Sequence, residues 1–248
     1  MGGIAGRMAV AGSGPDTDAD AGAEPTDAGM TMAPDTGVTQ MPMPPTRMDL
    51  GKGDGKDVIT IGDSWMNLGT SGIQQSVKKA SGNQPYRMYG VPGTRLLDNV
   101  IPNQYNSAKR ADANIKTVIM TGGGNDIIQV PGLKDDCTAM GAQCKMVVTQ
   151  ILDRLGKLWD TMSTDGVTDV IYVQYSNPEG MNVDWSLSAT DNVHTRCAAV
   201  KAPLHCHTLE TLDIVKGDIP DGIHPSGPAF DRIGKALFDL MTKEGMRR

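Results

Sequence analysis

No apolar run in this chain approaches the roughly 20 residues that cross a bilayer, so the sequence offers no transmembrane helix. No cluster of lysine or arginine stands out against a net charge of −6, which argues against nucleic acid as a partner. Cys-x-x-Cys is missing, and the four cysteines have none of the spacings of a zinc ribbon or finger. His194, His205 and His207 are not assigned to a metal, and no cofactor is implied. Aromatic residues make up only 4%, few for a broad sugar-stacking platform. The run Gly122-Gly123-Gly124 lacks the Lys-Ser/Thr that would follow in a phosphate-binding loop. No basic n-region joined to an apolar h-region is visible, so a secreted protein is expected to carry its signal outside this sequence.

What is abundant is unevenly placed. Much of the Gly and Pro falls before residue 56, among Ala, Asp, Thr and Met, with no helical or strand periodicity. Residues 1–55 are therefore expected to form a disordered acidic tether that holds a domain, 56–248, away from a cell surface. The cysteines fall as two local pairs, Cys137 with Cys144 and Cys197 with Cys206, in polar, small-residue segments. Two small-loop disulfides are expected, and with them an extracytoplasmic, oxidising location; four free thiols in a cytosolic protein are the alternative.

From residue 56 onward, strand-like and helix-like segments alternate. Val58 to Ile61, Tyr86 to Tyr89, Lys116 to Thr121 and Val170 to Tyr175 read as strands, with a short fifth between Leu209 and Val215. Helices are expected over Trp65 to Ala80, from Arg95 with an interruption at Pro102, over Lys145 to Met162, and at the C-terminus. Such alternation predicts a three-layer α/β/α sandwich around a mostly parallel five-stranded sheet.

Ligands of parallel sheets bind beyond the carboxyl ends of the strands. Marked residues stand there: Ser64 after the first strand, the Gly90–Gly93 turn after the second, and Asn125-Asp126 after the third. Asp221 and His224 occupy the loop before the last helix. A hydroxyl, an imidazole, a carboxylate and an amide at one edge are the parts of acyl transfer by an activated serine. The serine-hydrolase signature Gly-x-Ser-x-Gly is absent, which argues against the α/β-hydrolase fold.

In these blocks the chain resembles the SGNH hydrolases, also called the GDSL esterase family. Gly62-Asp63-Ser64 is similar to the nucleophile block, and Gly93 to the glycine block, with Gly90 as the other match. Gly123-Gly124-Asn125-Asp126 and Asp221-Gly222-Ile223-His224 are similar to the two remaining blocks, and the four occur in the family's order. Trp65 departs from the family's Leu.

The resemblance implies a flavodoxin-like sheet and a serine esterase for small acyl or acetyl esters. It gives Ser64 as nucleophile, His224 as base and Asp221 as its orienting acid. The oxyanion would be held by the N–H groups of Ser64 and Gly93 and the side chain of Asn125. Asp63 and Asp126 read as structural. Trp65 and Trp185 are the aromatic candidates for substrate contact, Trp65 equally a core residue. An O-acetyl esterase acting on polysaccharide and an inert surface binding module are the alternatives.

Overall fold

The computed structural model describes residues 47–139, 141–176, 186–188 and 190–248; the residues before Arg47, and Trp185, lie outside these. In chain order the elements are β1 (Val58–Ile61), α1 (Ile73–Ala80), β2 (Arg87–Met88), α2 (Val100–Ala111), β3 (Thr117–Met120), α3 (Gly124–Ile128), α4 (Leu133–Thr138), α5 (Ala142–Thr164) and β4 (Asp169–Val173). There follow β5 (Ser186–Ser188), β6 (Asp191–Asn192), α6 (Val193–Ala198), β7 (His205–Leu209), α7 (Leu212–Val215) and α8 (Gly227–Lys243).

Strands β1, β3 and β4 are buried along their whole length, and their mostly apolar sequences, interrupted by Thr60, Thr117 and Asp169, suit the centre of a covered parallel sheet. They pair in the order β2-β1-β3-β4-β7, and every pair is parallel. Counting only these five strands, the order is 2-1-3-4-5, the flavodoxin-like arrangement. Alternate strand residues face two separate cores. Ile59, Ile61, Val118, Met120, Val170 and Tyr172 meet α2 and α5, whereas Val58, Ile119, Ile171 and Val173 meet α1 and α8. The period of two along each strand thus builds the middle layer of an α/β/α sandwich.

Several elements differ from the sequence reading. The helix expected from Trp65 starts only at Ile73, because Gly69 and Gly72 take positive φ and hold the chain in turns. Pro102 does not interrupt α2; it sits in the first turn, where no intrahelical N–H bond is lost. The fifth strand lies at 205–209 rather than 209–215, and residues 212–215 are helical. That strand is at the sheet's edge and only partly buried, so it carries no apolar run to betray it. The cysteines lie mainly in regular structure: Cys137–Cys144 joins α4 to α5, and Cys197–Cys206 joins α6 to β7. Loop-closure entropy for rings this small gives each about 2.5 kcal/mol.

Residues 47–55, read as the end of the tether, are bound to the domain. Arg47 pairs through both terminal guanidinium nitrogens with the buried Asp169 at the start of β4. The Leu50 N–H donates to the Gly245 carbonyl (2.9 Å), the Gly53 N–H to that of Arg248 (3.1 Å), and Arg248 pairs with Asp49 (2.6 Å). The folded unit therefore takes in these residues as well.

Candidate active site

Ser64 stands three residues beyond β1, in a turn that Asp63 organises. The Asp63 carbonyl accepts from the N–H groups of Met66 (3.1 Å) and Asn67 (3.0 Å). Its fully buried carboxyl accepts from the Trp65 N–H (3.1 Å), the Thr121 hydroxyl (3.1 Å) and the Tyr175 hydroxyl. Burial pushes this carboxyl up, and the three donors oppose that shift. Burial, then the nearby Asp63, raise the Tyr175 hydroxyl well above its ordinary value, which keeps it a donor. No helix begins at Ser64, since α1 starts only at Ile73; the geometry there comes from Asp63.

Gly62, one residue earlier, has φ 142, and a Cβ there would lie 2.1 Å from Thr121 Oγ1. Its peptide is gripped by a side chain. Gln104 of α2 accepts from the Gly62 N–H (2.6 Å) and donates to the Gly62 carbonyl (3.0 Å). The same carbonyl accepts from the Val91 N–H (2.9 Å) and the Thr94 hydroxyl (3.2 Å), which binds the glycine turn to the end of β1.

Asp221 and His224 come from one short loop, as their spacing requires. His224 Nε2 lies 2.8 Å from Ser64 Oγ, and His224 Nδ1 lies 2.7 Å from Asp221 Oδ2. The other Asp221 oxygen accepts from the N–H groups of Ile223 (2.9 Å) and His224 (2.6 Å). The His224 backbone N–H, then its ring, hold the Asp221 carboxyl down at about 2. It is therefore a full acceptor at neutral pH, and it fixes Nδ1 as the protonated ring nitrogen. Nε2 is left free to take the serine proton.

The N–H groups of Ser64 and Gly93 have no acceptor among the described residues. Gly93 is exposed with φ 74, and its carbonyl accepts from Gln129 Nε2 (3.0 Å). Asn125 Nδ2 donates one hydrogen to the Thr94 carbonyl (3.0 Å), which orients the amide and leaves its second hydrogen for another acceptor. Asp126, fully buried, accepts from the N–H groups of Leu96 (2.8 Å) and Leu97 (2.9 Å) and so pins the chain just past Gly93. Gly90, the other glycine match, is a packing residue: a Cβ there would lie 2.7 Å from Met66 Cγ.

The structure brings Ser64, His224 and Asp221 into one hydrogen-bonded chain, and ties Asn125 and the Gly93 turn to each other. Trp65 is 3% exposed and meets Tyr175 and Phe230 edge-on, the setting of the core residue that is one of its two readings. Trp185 lies outside the described residues. Among the described residues, no group of three or more His, Cys, Asp or Glu is arranged to hold a metal ion. Sequence reasoning missed Gln104 and Thr121. The first had a signal: a glutamine on the apolar face of α2, between Ile101 and Ala108.

No protein-family model matches the sequence, and no curated protein matches it. Among solved structures, a lipolytic protein of the G-D-S-L family from Veillonella parvula is 16% identical, with 75% of this chain and 98% of that one covered and a TM-score of 0.53. A lipase from a goat rumen metagenome is also 16% identical, with 77% and 98% covered and a TM-score of 0.54. At these identities the likeness is one of fold: the chain has the α/β fold of the G-D-S-L lipolytic protein and of the rumen lipase.

Proposed function

We propose that this chain is a serine esterase of the SGNH type, acting on esters of small acyl groups. The observation that carries the reading is the hydrogen-bonded chain Ser64–His224–Asp221 at the carboxyl edge of the sheet. His224 Nε2 takes the Ser64 proton as Oγ attacks the ester carbonyl. The carbonyl oxygen gains negative charge, which the N–H groups of Ser64 and Gly93 and the Asn125 amide stabilise. Asp221 stabilises the imidazolium. The proton passes from Nε2 to the leaving alkoxide, the alcohol departs, and an acyl group remains on Oγ. Water, deprotonated by the same nitrogen, releases the acid.

Gly93 is exposed and the Asp221 side chain is 55% exposed, so the site opens at the surface. That setting suits a small acyl group at the serine and an alcohol part extending outward, as in an acetylated glycan. The two disulfides support an extracytoplasmic location. Among the described residues no helix is long and apolar enough to cross a membrane.

A series of p-nitrophenyl esters, from acetate to long acyl chains, tests the reading, together with mass-spectrometric mapping of a fluorophosphonate adduct. Turnover greatest on short chains, with the adduct on Ser64, is expected. A maximum on long chains would make the protein a lipase. Activity confined to acetylated glycans would select the polysaccharide esterase. No turnover and no adduct would leave the binding module.

Within this reading Asn125→Ala is expected to lower kcat on the acetate ester by about a hundredfold or more, the usual cost of one oxyanion donor. KM should move little, because the amide meets a full negative charge only in the transition state. Unchanged kcat would remove Asn125 from the oxyanion hole.

A further inference from the structure

The loop that supplies both Asp221 and His224 is anchored at its ends, by Ile219 against the core and by the Ser226 N–H on the Asp218 carbonyl (3.0 Å), while its middle has few ties. Residues 220–223 are exposed, and most bonds of 219–224 are local: Ile219 N–H to the carbonyl of Gly217 just before it, Gly222 N–H to that of Ile219, and the bonds converging on Asp221. Among the described residues, only two hydrogen bonds leave 219–224 for another part of the fold. One is His224 to Ser64 itself. The other runs from Trp65 Nε1 to the carbonyl of Ile223, at 2.9 Å.

The donor is rigid. Trp65 is buried, its N–H is on the Asp63 carboxyl, and its carbonyl accepts from the Ile73 N–H (3.0 Å). Its ring centroid lies 5.1 Å from that of Tyr175 and 6.3 Å from that of Phe230, both edge-on. Tyr175 is bonded to the same Asp63 carboxyl, so ring and backbone are fixed by one residue.

The geometry points to Trp65 as the positioning residue of the base: its indole N–H holds the Ile223 carbonyl, and through it the loop bearing Asp221 and His224. Nucleophile and holder are adjacent in the chain. Ser64 and Trp65 grip adjacent residues of the far loop, His224 and Ile223, so the indole bond acts one residue from the imidazole that meets Oγ. Leucine, the residue of the resembled family at this place, offers no such donor. The role rests on the esterase reading, since it concerns a base only if His224 acts as one.

Trp65→Phe keeps an aromatic edge for Tyr175 and Phe230 and removes the N–H. Measured on p-nitrophenyl acetate well below the melting temperature of each protein, its kcat is expected to fall about tenfold with KM within twofold, since small misplacements of a reacting pair are costly. In an Asp221→Ala background the same change should cost less than twofold, because a loop that no longer orients the base has nothing left to lose. An equal loss in both backgrounds, or full kcat in the folded single variant, would overturn the proposal.

Hydrogen exchange gives an arm that needs no turnover. Amides of 219–224 should exchange faster in Trp65→Phe while those of β1 and β3 do not; unaltered exchange would equally overturn it. If wild type and a Ser64 variant hydrolyse esters alike, the esterase reading falls, and exchange still decides whether the indole holds the loop.

Discussion

Ser64→Ala is expected to lower kcat on p-nitrophenyl acetate by about 10⁴-fold or more while leaving the protein folded. The size of the loss follows from what remains. Without Oγ there is no acyl-enzyme, so the ester must be attacked directly by water. His224 can still act as a base, and the Gly93 N–H and Asn125 amide can still face the carbonyl oxygen, so a small residual rate survives. Binding should change far less, because Oγ meets the ester carbon as a bond only in the transition state. Stability should move within about 1 kcal/mol: Ser64 is only half-buried, and the loop of His224 keeps its bond from Trp65. Thermal melting, steady-state kinetics and phosphonate labelling of the two proteins make the comparison. A variant that kept a tenth of wild-type turnover would take the nucleophile's role from Ser64.

The same residues show why parts of this protein could be read in advance. Asp221 and His224 are three apart, and the strands β1, β3 and β4 are short apolar runs with clean ends, so each is a local statement. The site blocks follow from that locality, because parallel strands bring their carboxyl ends to one edge whatever the intervening sequence. The rest is written in contacts between distant residues. Gln104 reaches Gly62 across 42 positions, and Trp65 reaches Ile223 across 158. Nothing near Trp65 in the sequence says that its indole would look inward to a loop rather than outward to substrate. Strand β7 escaped for another reason. As a half-exposed edge it is spelled His-Cys-His-Thr-Leu, and neither its hydrophobicity nor its neighbours mark it. The attachment of Arg47 and Asp49 was hidden in the same way, since both look solvent-bound until their partners, Asp169 and Arg248, are known.

Gly62→Ala is expected to cost about 3 kcal/mol or more of stability, or a melting temperature lower by roughly 6–12 °C for a domain of this size. Two effects add. An L-residue at φ 142 is strained by an amount on the order of 1–3 kcal/mol. The new Cβ would also lie 2.1 Å from Thr121 Oγ1 and 3.1 Å from the Thr121 N and O, so part of the collision is with backbone of the neighbouring strand end. Neither partner can yield freely. The Gly62 peptide is held on both sides by Gln104, and Thr121 Oγ1 bonds both the Asp63 N–H (3.3 Å) and its carboxyl. Relief therefore moves Asp63, and with it Ser64 and Trp65, so kcat should fall as well, even at temperatures where the variant is folded. Gly69→Ala separates the two causes. Gly69 has φ 66 but nothing within 4 Å of its Cβ position, so only the strain, about 1 kcal/mol, applies. A loss at Gly62 no greater than the roughly 3 kcal/mol that strain alone can reach would show that the collision adds nothing; a larger loss, with a drop in kcat confined to Gly62→Ala, is the signature of a nucleophile turn wedged against β3.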